Sequence, residues 1–242
     1  MKHRWSGWMA AGLMVACVVA GTVQGWPWWA TGVAVLALLL FALLETYERQ
    51  AMNPKQIALV ASIAAVASVG RVVVQGIPSV QPATFIILMA GYMFGPGTGA
   101  AVGAFTALGS NLFLGEGVWT PWQMLAWGLV GATAGWLHQW FPRWRVWWLV
   151  PFAFLWGYVF GWIMNLQVLL GGGPISWAAY GLLCVRSVWF DTNHALTTAA
   201  LTAVAGPVVM REFERYRRRM QVHRSAEGAL SNRLHSKGEE ES

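Results

Sequence analysis

The chain has 242 residues, of which 57% are hydrophobic and only 11% are charged, whereas a soluble domain carries about 25% charged residues. Its net charge of +6 does not indicate a nucleic-acid partner, because the basic residues lie at short junctions and in the tail rather than on one folded face. Two cysteines in separate apolar regions exclude a disulfide framework. The composition therefore predicts an all-α membrane protein.

Long apolar segments alternate with short polar junctions along the chain. A helix that crosses a bilayer needs about 20 predominantly apolar residues, so these segments are predicted to be transmembrane helices. The first could instead be a cleaved signal peptide with a charged start, but its apolar run continues past Cys17, which favours a retained helix. The predicted spans are residues 6–23, 28–46, 55–74, 82–95, 98–114, 121–139, 146–168 and 186–209.

The positions of lysine and arginine predict how these spans are oriented, because cytoplasmic junctions carry an excess of both. Basic residues precede the first span, separate the second from the third and the sixth from the seventh, and follow the eighth. All of them fall on one side if the spans alternate, so both termini are predicted to be cytoplasmic in the plasma membrane. The residues are Lys2, Arg4, Arg49, Lys55, Arg143, Arg145, Arg211, Arg215, Arg217, Arg218 and Arg219.

Two arginines depart from this rule. The predicted topology puts Arg71 and Arg186 near the outer ends of the third and eighth spans. A charge at such a position is costly unless it has a partner or a function. Either these side chains extend to the outer headgroups, or both face a pocket that opens to the outside.

The third span carries small residues four positions apart. Ala58 pairs with Ser62 in this spacing, and Ala61 pairs with Ala65. A smooth face of this kind lets another helix approach closely in a membrane. The approaching helix belongs either to this chain or to a separate subunit.

A short, glycine-punctuated junction between the fifth and sixth spans brings together polar and aromatic side chains. Asn111, Glu116, Trp119 and Gln123 lie within it or on its flanks. Aromatic surfaces with a few amide groups suit a large, partly apolar organic ligand. An ordinary interfacial loop is the alternative.

The eighth predicted span begins with a polar stretch that contains Arg186, Trp189, Asp191, Asn193 and His194. Such residues just inside a membrane helix are costly unless they have partners. Asp191 could form an ion pair with Arg186 or with the arginine of the third span, or the group could bind a ligand. Because Asp191 and His194 are three residues apart, they share roughly one helical face and could also form the acid–base pair of a membrane enzyme.

The sequence contains no motif for nucleotide hydrolysis or metal chemistry. A glycine-rich phosphate loop, Cys/His metal spacing and a Gly-x-Ser-x-Gly elbow are all absent. We therefore expect no catalytic residue, no metal and no bound cofactor in this chain. Any energy coupling must come from a partner.

Several short blocks follow one another from the end of the third span into the sixth. They are Arg71; Ile77-Pro78-Ser79-Val80-Gln81-Pro82; Gly91, Gly95, Pro96 and Gly99; Ser110, Asn111 and Gly115; Trp119-Thr120-Pro121-Trp122-Gln123-Met124; and Trp127-Gly128. Together they resemble the substrate-binding S component of energy-coupling factor (ECF) vitamin transporters. The resemblance covers residues 55–210, and the block from Ser110 to Gln123 is its most specific part.

This resemblance implies a six-helix S-component bundle in residues 51–210 that binds a vitamin near its outer side. Two extra transmembrane helices in residues 1–50 precede it, outside the family pattern and with an open role, and a basic cytoplasmic tail at 211–242 follows. The tryptophan-rich loop favours cobalamin or a related precursor, with small polar vitamins close behind. The implied substrate-binding residues are Arg71, Gln81, Asn111, Glu116, Trp119, Gln123, Arg186, Trp189, Asp191, Asn193 and His194.

The resemblance also implies partner subunits. In the family, an alanine-rich first helix of the six packs on a transmembrane T subunit that couples to two cytoplasmic ATPases, so ATP is used by the partners only. The implied mechanism is rotation of the S component within the bilayer, with residues 75–81 as a gate over the pocket. Carried over, the contact with the T subunit is formed by Ala58, Ala61, Ser62 and Ala65.

Overall fold

Every regular element in the described part of the chain is a helix. The computed structural model describes residues 4–50, 54–142, 146–171 and 175–217, and within these ranges the prediction of an all-helical chain is confirmed. The predictions for Lys2, Arg143, Arg145, Arg218 and Arg219, and for the basic tail beyond residue 217, lie outside the described residues. The helices are α1 (Arg4–Val23), α2 (Trp28–Gln50), α3 (Pro54–Val73), α4 (Pro82–Phe94), α5 (Pro96–Leu114), α6 (Thr120–Trp140), α7 (Val146–Leu170) and α8 (Trp177–Val204).

The start of α8 differs from the predicted span of 186–209. The helix begins at Trp177, because the Ser176 side chain caps its first turn by accepting a hydrogen bond from the Ala179 backbone N–H at 3.1 Å. Placing Arg186 near the end of a helix was therefore wrong. At 1.5 Å per residue, it lies about 14 Å along the axis from the first residue of α8.

The tail is helical as far as the structure describes it. After α8 the chain makes a turn, and a further helical segment follows at 206–217. Its Phe213 ring lies 5.0 Å from the ring of Phe94 at the end of α4. Arg217 donates a hydrogen bond to the backbone oxygen of Met93 at 3.5 Å. The first part of the tail therefore packs against the end of α4.

Glycines let α4, α5 and α6 pack with their backbones in contact. A methyl group added at Gly91 or at Gly99 would overlap the backbone of Gly131. Small residues of this kind are common where helices approach closely in membranes. Gly95, with φ of 99°, connects α4 directly to α5 in a backbone conformation that other residues rarely adopt. α3 covers one side of this group by packing on α4 and α5.

α7 and α8 form a second packed unit. Gly157 of α7 lies directly against the backbone of Ala195 of α8, so the two helices approach closely. The hydroxyl groups of Tyr158 and Thr192 are 2.7 Å apart across the same contact. This pair contacts the rest of the molecule through α1, α4 and α6.

The first two helices form a hairpin that docks on α6. Gly21 of α1 lies against the side chain of Thr31 of α2, which brings the two helices together. The indole N–H of Trp122 in α6 donates a hydrogen bond to the Thr22 hydroxyl at 2.9 Å. The hairpin is therefore attached to the remaining helices by specific side chains.

Many large apolar side chains face outward. α3 and α7 are each long and apolar enough to cross a membrane, judged by length and composition. Phe113 on α5 is 77% exposed and Trp177 on α8 is 91% exposed. The interior is also apolar, since nearly all of α4 is buried among the other helices.

Candidate functional site

Arg71 is held in a polar network at the end of α3. Its Nη1 donates hydrogen bonds to Ser110 Oγ and to Asn111 Oδ1, both at 2.6 Å. The guanidinium carbon lies 5.0 Å from the ring centroid of Trp127, which is a cation–π contact. A partly buried charge is tolerated where it is hydrogen-bonded in this way. Arg71 is thus bound to the protein's own groups on α5 and α6.

Asn111 extends the network into the junction between α5 and α6. Its Nδ2 donates to Thr120 Oγ1 at 2.9 Å and to Gln123 Oε1 at 2.8 Å, and Thr120 Oγ1 donates to Glu116 Oε2 at 2.6 Å. The structure therefore brings the predicted residues Asn111, Glu116 and Gln123 together with the arginine of α3. Ser110 and Thr120 were not predicted as site residues, although both stand in the block that carries the family resemblance.

A second network is centred on His194 of α8 and joined to the first by Trp127. The indole N–H of Trp127 donates to Thr84 Oγ1 at 2.9 Å, and Thr84 Oγ1 lies 2.7 Å from His194 Nε2. The tautomer of His194 decides whether the Thr84 hydroxyl or the imidazole N–H is the donor in this second bond. The Phe160 ring meets the imidazole edge-on, with 5.0 Å between centroids. These contacts attach α8 to α4.

Asp191 belongs to a separate polar group between α7 and α8. Its Oδ2 accepts a hydrogen bond from Ser187 Oγ at 2.7 Å, and Ser187 Oγ accepts one from Asn165 Nδ2 at 2.8 Å. Gly161 of α7 lies directly beneath the carboxylate, where a larger residue would overlap it. Within the described ranges no ion pair joins Asp191 to an arginine, so the ion pair considered as an alternative is not formed there.

Asp191 and His194 are hydrogen-bonded to different parts of the molecule. The carboxylate is bonded to Ser187 at the α7 contact, whereas the imidazole is fully buried and bonded to Thr84 of α4. A general acid or base must come within hydrogen-bond reach of a substrate proton. In this structure the two side chains are therefore hydrogen-bonded to different helices, Asp191 within α8 beside α7 and His194 to α4.

The side chains of the other predicted residues make no hydrogen bond to these networks in the part of the chain that the structure describes. Gln81 precedes α4, and its buried Oε1 has no hydrogen-bond partner among the residues described. Trp119 lies at the start of α6 with its ring close to Gly117. Trp189 is exposed on the outside of α8, and Asn193 is half-buried one turn further on. The predicted site residues are therefore distributed over several places.

A cavity of about 640 Å³ opens where the N-terminal hairpin meets α6, α7 and α8. Its walls come from the α1–α2 turn, the start of α6, the end of α7 and the first half of α8. Arg186 is the predicted site residue that lines it. Other residues of the lining that have aromatic or polar side chains are Thr22, Trp26, Trp28, Thr31, Trp122 and Gln167.

The two faces of α3 differ in burial. Ala64, Ala67 and Ser68 are buried, and Ser68 Oγ donates to the backbone oxygens of Ala64 and Thr106. The opposite face is exposed, and it carries all four residues predicted to contact a partner helix. These residues are Ala58, Ala61, Ser62 and Ala65.

No protein-family model, curated protein or solved structure matches this chain. In the part of the chain that the structure describes, no group of three or more His, Cys, Asp and Glu side chains is placed to hold a metal ion. The distinguishing features of the molecule are therefore its internal polar networks, the cavity beside the hairpin and the exposed small-residue face of α3.

Proposed function

We propose that this chain is the substrate-capturing subunit of an ECF-type, ATP-dependent vitamin uptake transporter. The observation that carries the proposal is the exposed small-residue face of α3, formed by Ala58, Ala61, Ser62 and Ala65. The proposal is also supported by the apolar exterior, by the placement of aromatic and basic residues, and by the cavity at one end of the molecule. The vitamin, the T subunit, the two ATPases and the lipid bilayer are the partners that this function requires.

A membrane environment accounts for the apolar exterior. Soluble monomers rarely expose large contiguous apolar patches, yet Val73 on α3, Leu112 and Phe113 on α5, and Val204 on α8 are each at least three-quarters exposed. In a bilayer these side chains would contact lipid at no cost. This environment also explains why so few residues of the chain are charged.

Exposed tryptophans lie at both ends of the helices, as in the aromatic belts of membrane proteins. The α1–α2, α5–α6 and α7–α8 junctions share one end, because residues from all three line the same cavity. Exposed tryptophans at that end are Trp26, Trp28, Trp29, Trp119 and Trp177. Those at the other end are Trp140, Trp147 and Trp148.

The end opposite the cavity carries more basic residues. Lys55 stands in the first turn of α3, and Arg211, Arg215 and Arg217 lie in the helical segment at 206–217. Excess lysine and arginine mark the cytoplasmic side. This end, with both termini, is therefore assigned to the cytoplasm, and the cavity and the Arg71 network to the outer side.

The exposed face of α3 suits a helix of another subunit. Helices associate in membranes through close packing of small residues, since burial of apolar surface drives little association in lipid. Inside the molecule α3 already uses another small residue, Ser68, against α5, and its Ala64 is buried. The exposed set is thus available to the T subunit, and ATP hydrolysis on the attached ATPases would supply the energy for uptake.

The N-terminal hairpin would move together with the rest of the subunit. Trp122 and Thr22 are hydrogen-bonded, and Gly32 of α2 lies near Pro121 of α6. Rotation of the S component within the bilayer would therefore carry eight helices rather than six. The exposed face of α3 lies outside the hairpin contacts with α5, α6 and α7.

Enlarging the exposed face of α3 tests the proposal. Ala61→Leu combined with Ala65→Leu adds branched side chains at exposed positions, so the fold and ligand binding should persist. Because close helix packing is lost, association with the T subunit and vitamin uptake should fall about tenfold or more. The measurements are co-purification of the T subunit and the ATPases from membranes that contain them, and uptake of radiolabelled vitamins.

The matched control is Ala200→Leu, at an exposed alanine of α8. It should leave both association and uptake unchanged. Unchanged uptake by the double variant would refute the assigned contact. Failure of the unsubstituted protein to bring down any T subunit would refute the function itself.

A further inference from the structure

The N-terminal hairpin supplies one wall of the cavity described above. Trp26 comes from the α1–α2 turn, Trp28 from the first turn of α2, Trp122 from α6, and Arg186 from α8. The hydrogen bond between Trp122 and Thr22 fixes the hairpin at this position. The two helices that precede the S-component pattern thus take part in forming this open cavity.

The cavity lining combines aromatic rings, neutral polar groups and one charged side chain. Arg186 carries the single formal charge among the lining residues, which all belong to the described part of the chain. No hydrogen bond or ion pair to another described residue engages its guanidinium group. An arginine fork binds carboxylate or phosphate through two parallel hydrogen bonds. Gln167 and the hydroxyl groups of Thr22 and Thr31 add neutral polar groups to the walls.

We propose that this cavity binds a compact organic anion, a planar ring system that carries a carboxylate or a phosphate. The indole rings of Trp26, Trp28 and Trp122 would contact the ring, and Arg186 would bind the anionic group. A volume of about 640 Å³ lies within the range of about 300–1,000 Å³ that is usual for drug-sized ligands. It therefore favours a compact vitamin over a corrinoid.

This inference rests on the proposed function, in which the ligand is the transported vitamin. It also assigns a role to the N-terminal hairpin, which would form part of the binding site. The anionic headgroup of a lipid has the same chemistry as a dissolved anion and could reach the cavity from the bilayer. The experiment therefore has to separate these two sources.

Calorimetric titration of the full-length protein with matched anionic and neutral probes tests the charge requirement. The pairs are nicotinate and nicotinamide, pyridoxal phosphate and pyridoxal, and flavin mononucleotide and riboflavin. The anionic member of at least one pair should bind about tenfold tighter or more than its neutral counterpart. Arg186→Gln should abolish that difference. No binding by any of the six probes would overturn the inference.

A substitution in the hairpin tests whether these helices form part of the site. Trp28→Ala should raise the Kd of the same anion about fivefold or more, because stacking and apolar contact with the ring are lost. The matched controls are Trp177→Ala, an exposed tryptophan outside the cavity, and Arg211→Gln, an arginine at the opposite end. Both controls should leave the Kd unchanged, and an effect of either control equal to that of its partner variant would overturn the inference.

Nanodiscs of different lipid composition identify the source of the anion. Equal affinity in phosphatidylcholine and phosphatidylglycerol discs supports a dissolved ligand. The proposal of a dissolved ligand would be overturned in favour of a lipid-headgroup site by two results together. These are weaker binding in phosphatidylglycerol discs, and a retained lipid that native mass spectrometry detects and that Arg186→Gln releases.

Uptake and binding that survive both Arg186→Gln and Trp28→Ala would refute this site and leave the transporter function standing. Arginine-dependent binding without any uptake would refute the transporter function and leave this site standing.

Discussion

Replacing Asn111 with alanine is expected to lower the free energy of unfolding by about 3 kcal/mol. The side chain is 1% exposed, accepts a hydrogen bond from Arg71, and donates to Thr120 and Gln123. A hydrogen bond to a charged group contributes about 1.5–3 kcal/mol, and a neutral one between membrane helices contributes about 0.6 kcal/mol. Ser110 still accepts from Arg71 in the variant, so the charge retains one partner.

The assay is equilibrium unfolding of the purified protein in mixed micelles, followed by far-ultraviolet circular dichroism. Asn193→Ala is the matched control, since Asn193 is half-buried on α8 and its side chain makes no hydrogen bond within the described ranges. It should change the free energy of unfolding by less than about 1 kcal/mol. Equal effects of the two substitutions would refute the stabilising role of the network.

A double-mutant cycle isolates the contact between Asn111 and Arg71. Because residues in one hydrogen-bond network couple by about 0.5–3 kcal/mol, Arg71→Met combined with Asn111→Ala should cost less than the two single substitutions together. The same unfolding assay measures all three variants. Simple additivity would show that the two side chains do not depend on each other.

Two further substitutions test the contacts of α8. Gly161→Ala would place a methyl group against the Asp191 carboxylate and should destabilise the protein by about 1–3 kcal/mol. The control is Gly181→Ala, in open space on α8, which should be neutral or stabilising by up to about 1 kcal/mol. Similar results for both variants would contradict a close α7–α8 contact. His194→Leu removes the hydrogen bond with Thr84 and should cost about 1–2 kcal/mol in the same unfolding assay. Unchanged stability combined with lost vitamin binding would instead indicate that His194 contacts the ligand.

The limits of most helices could be predicted because local residues define them. Pro54 and Pro82 begin α3 and α4, where the missing backbone N–H of proline costs nothing. The start of α8 was missed although residues 177–185 contain no charged residue and Ser176 caps the helix. Arg186 is the first charge in that region, and it was interpreted as a boundary although the helix continues through it.

The candidate site could be predicted only where its partners are close in sequence. Asn111 and Gln123 are separated by a single short junction, so their grouping follows from the chain itself. His194 and Thr84 are 110 positions apart, and their contact depends on how α8 packs on α4. The cavity depends likewise on where the N-terminal hairpin docks, which no local pattern specifies.

The glycine contacts among α4, α5 and α6 divide the molecule into parts that differ in how freely they can move. Backbones that touch at Gly91, Gly99 and Gly131 cannot slide past each other without a clash, so we expect these helices to behave as one rigid block. The α7–α8 pair meets that block through side chains, among them the bond between Thr84 and His194. Movement of the α7–α8 pair relative to this block would then occur at the contact between them. Backbone amide hydrogen exchange should be slower in α4–α6 than in α7–α8.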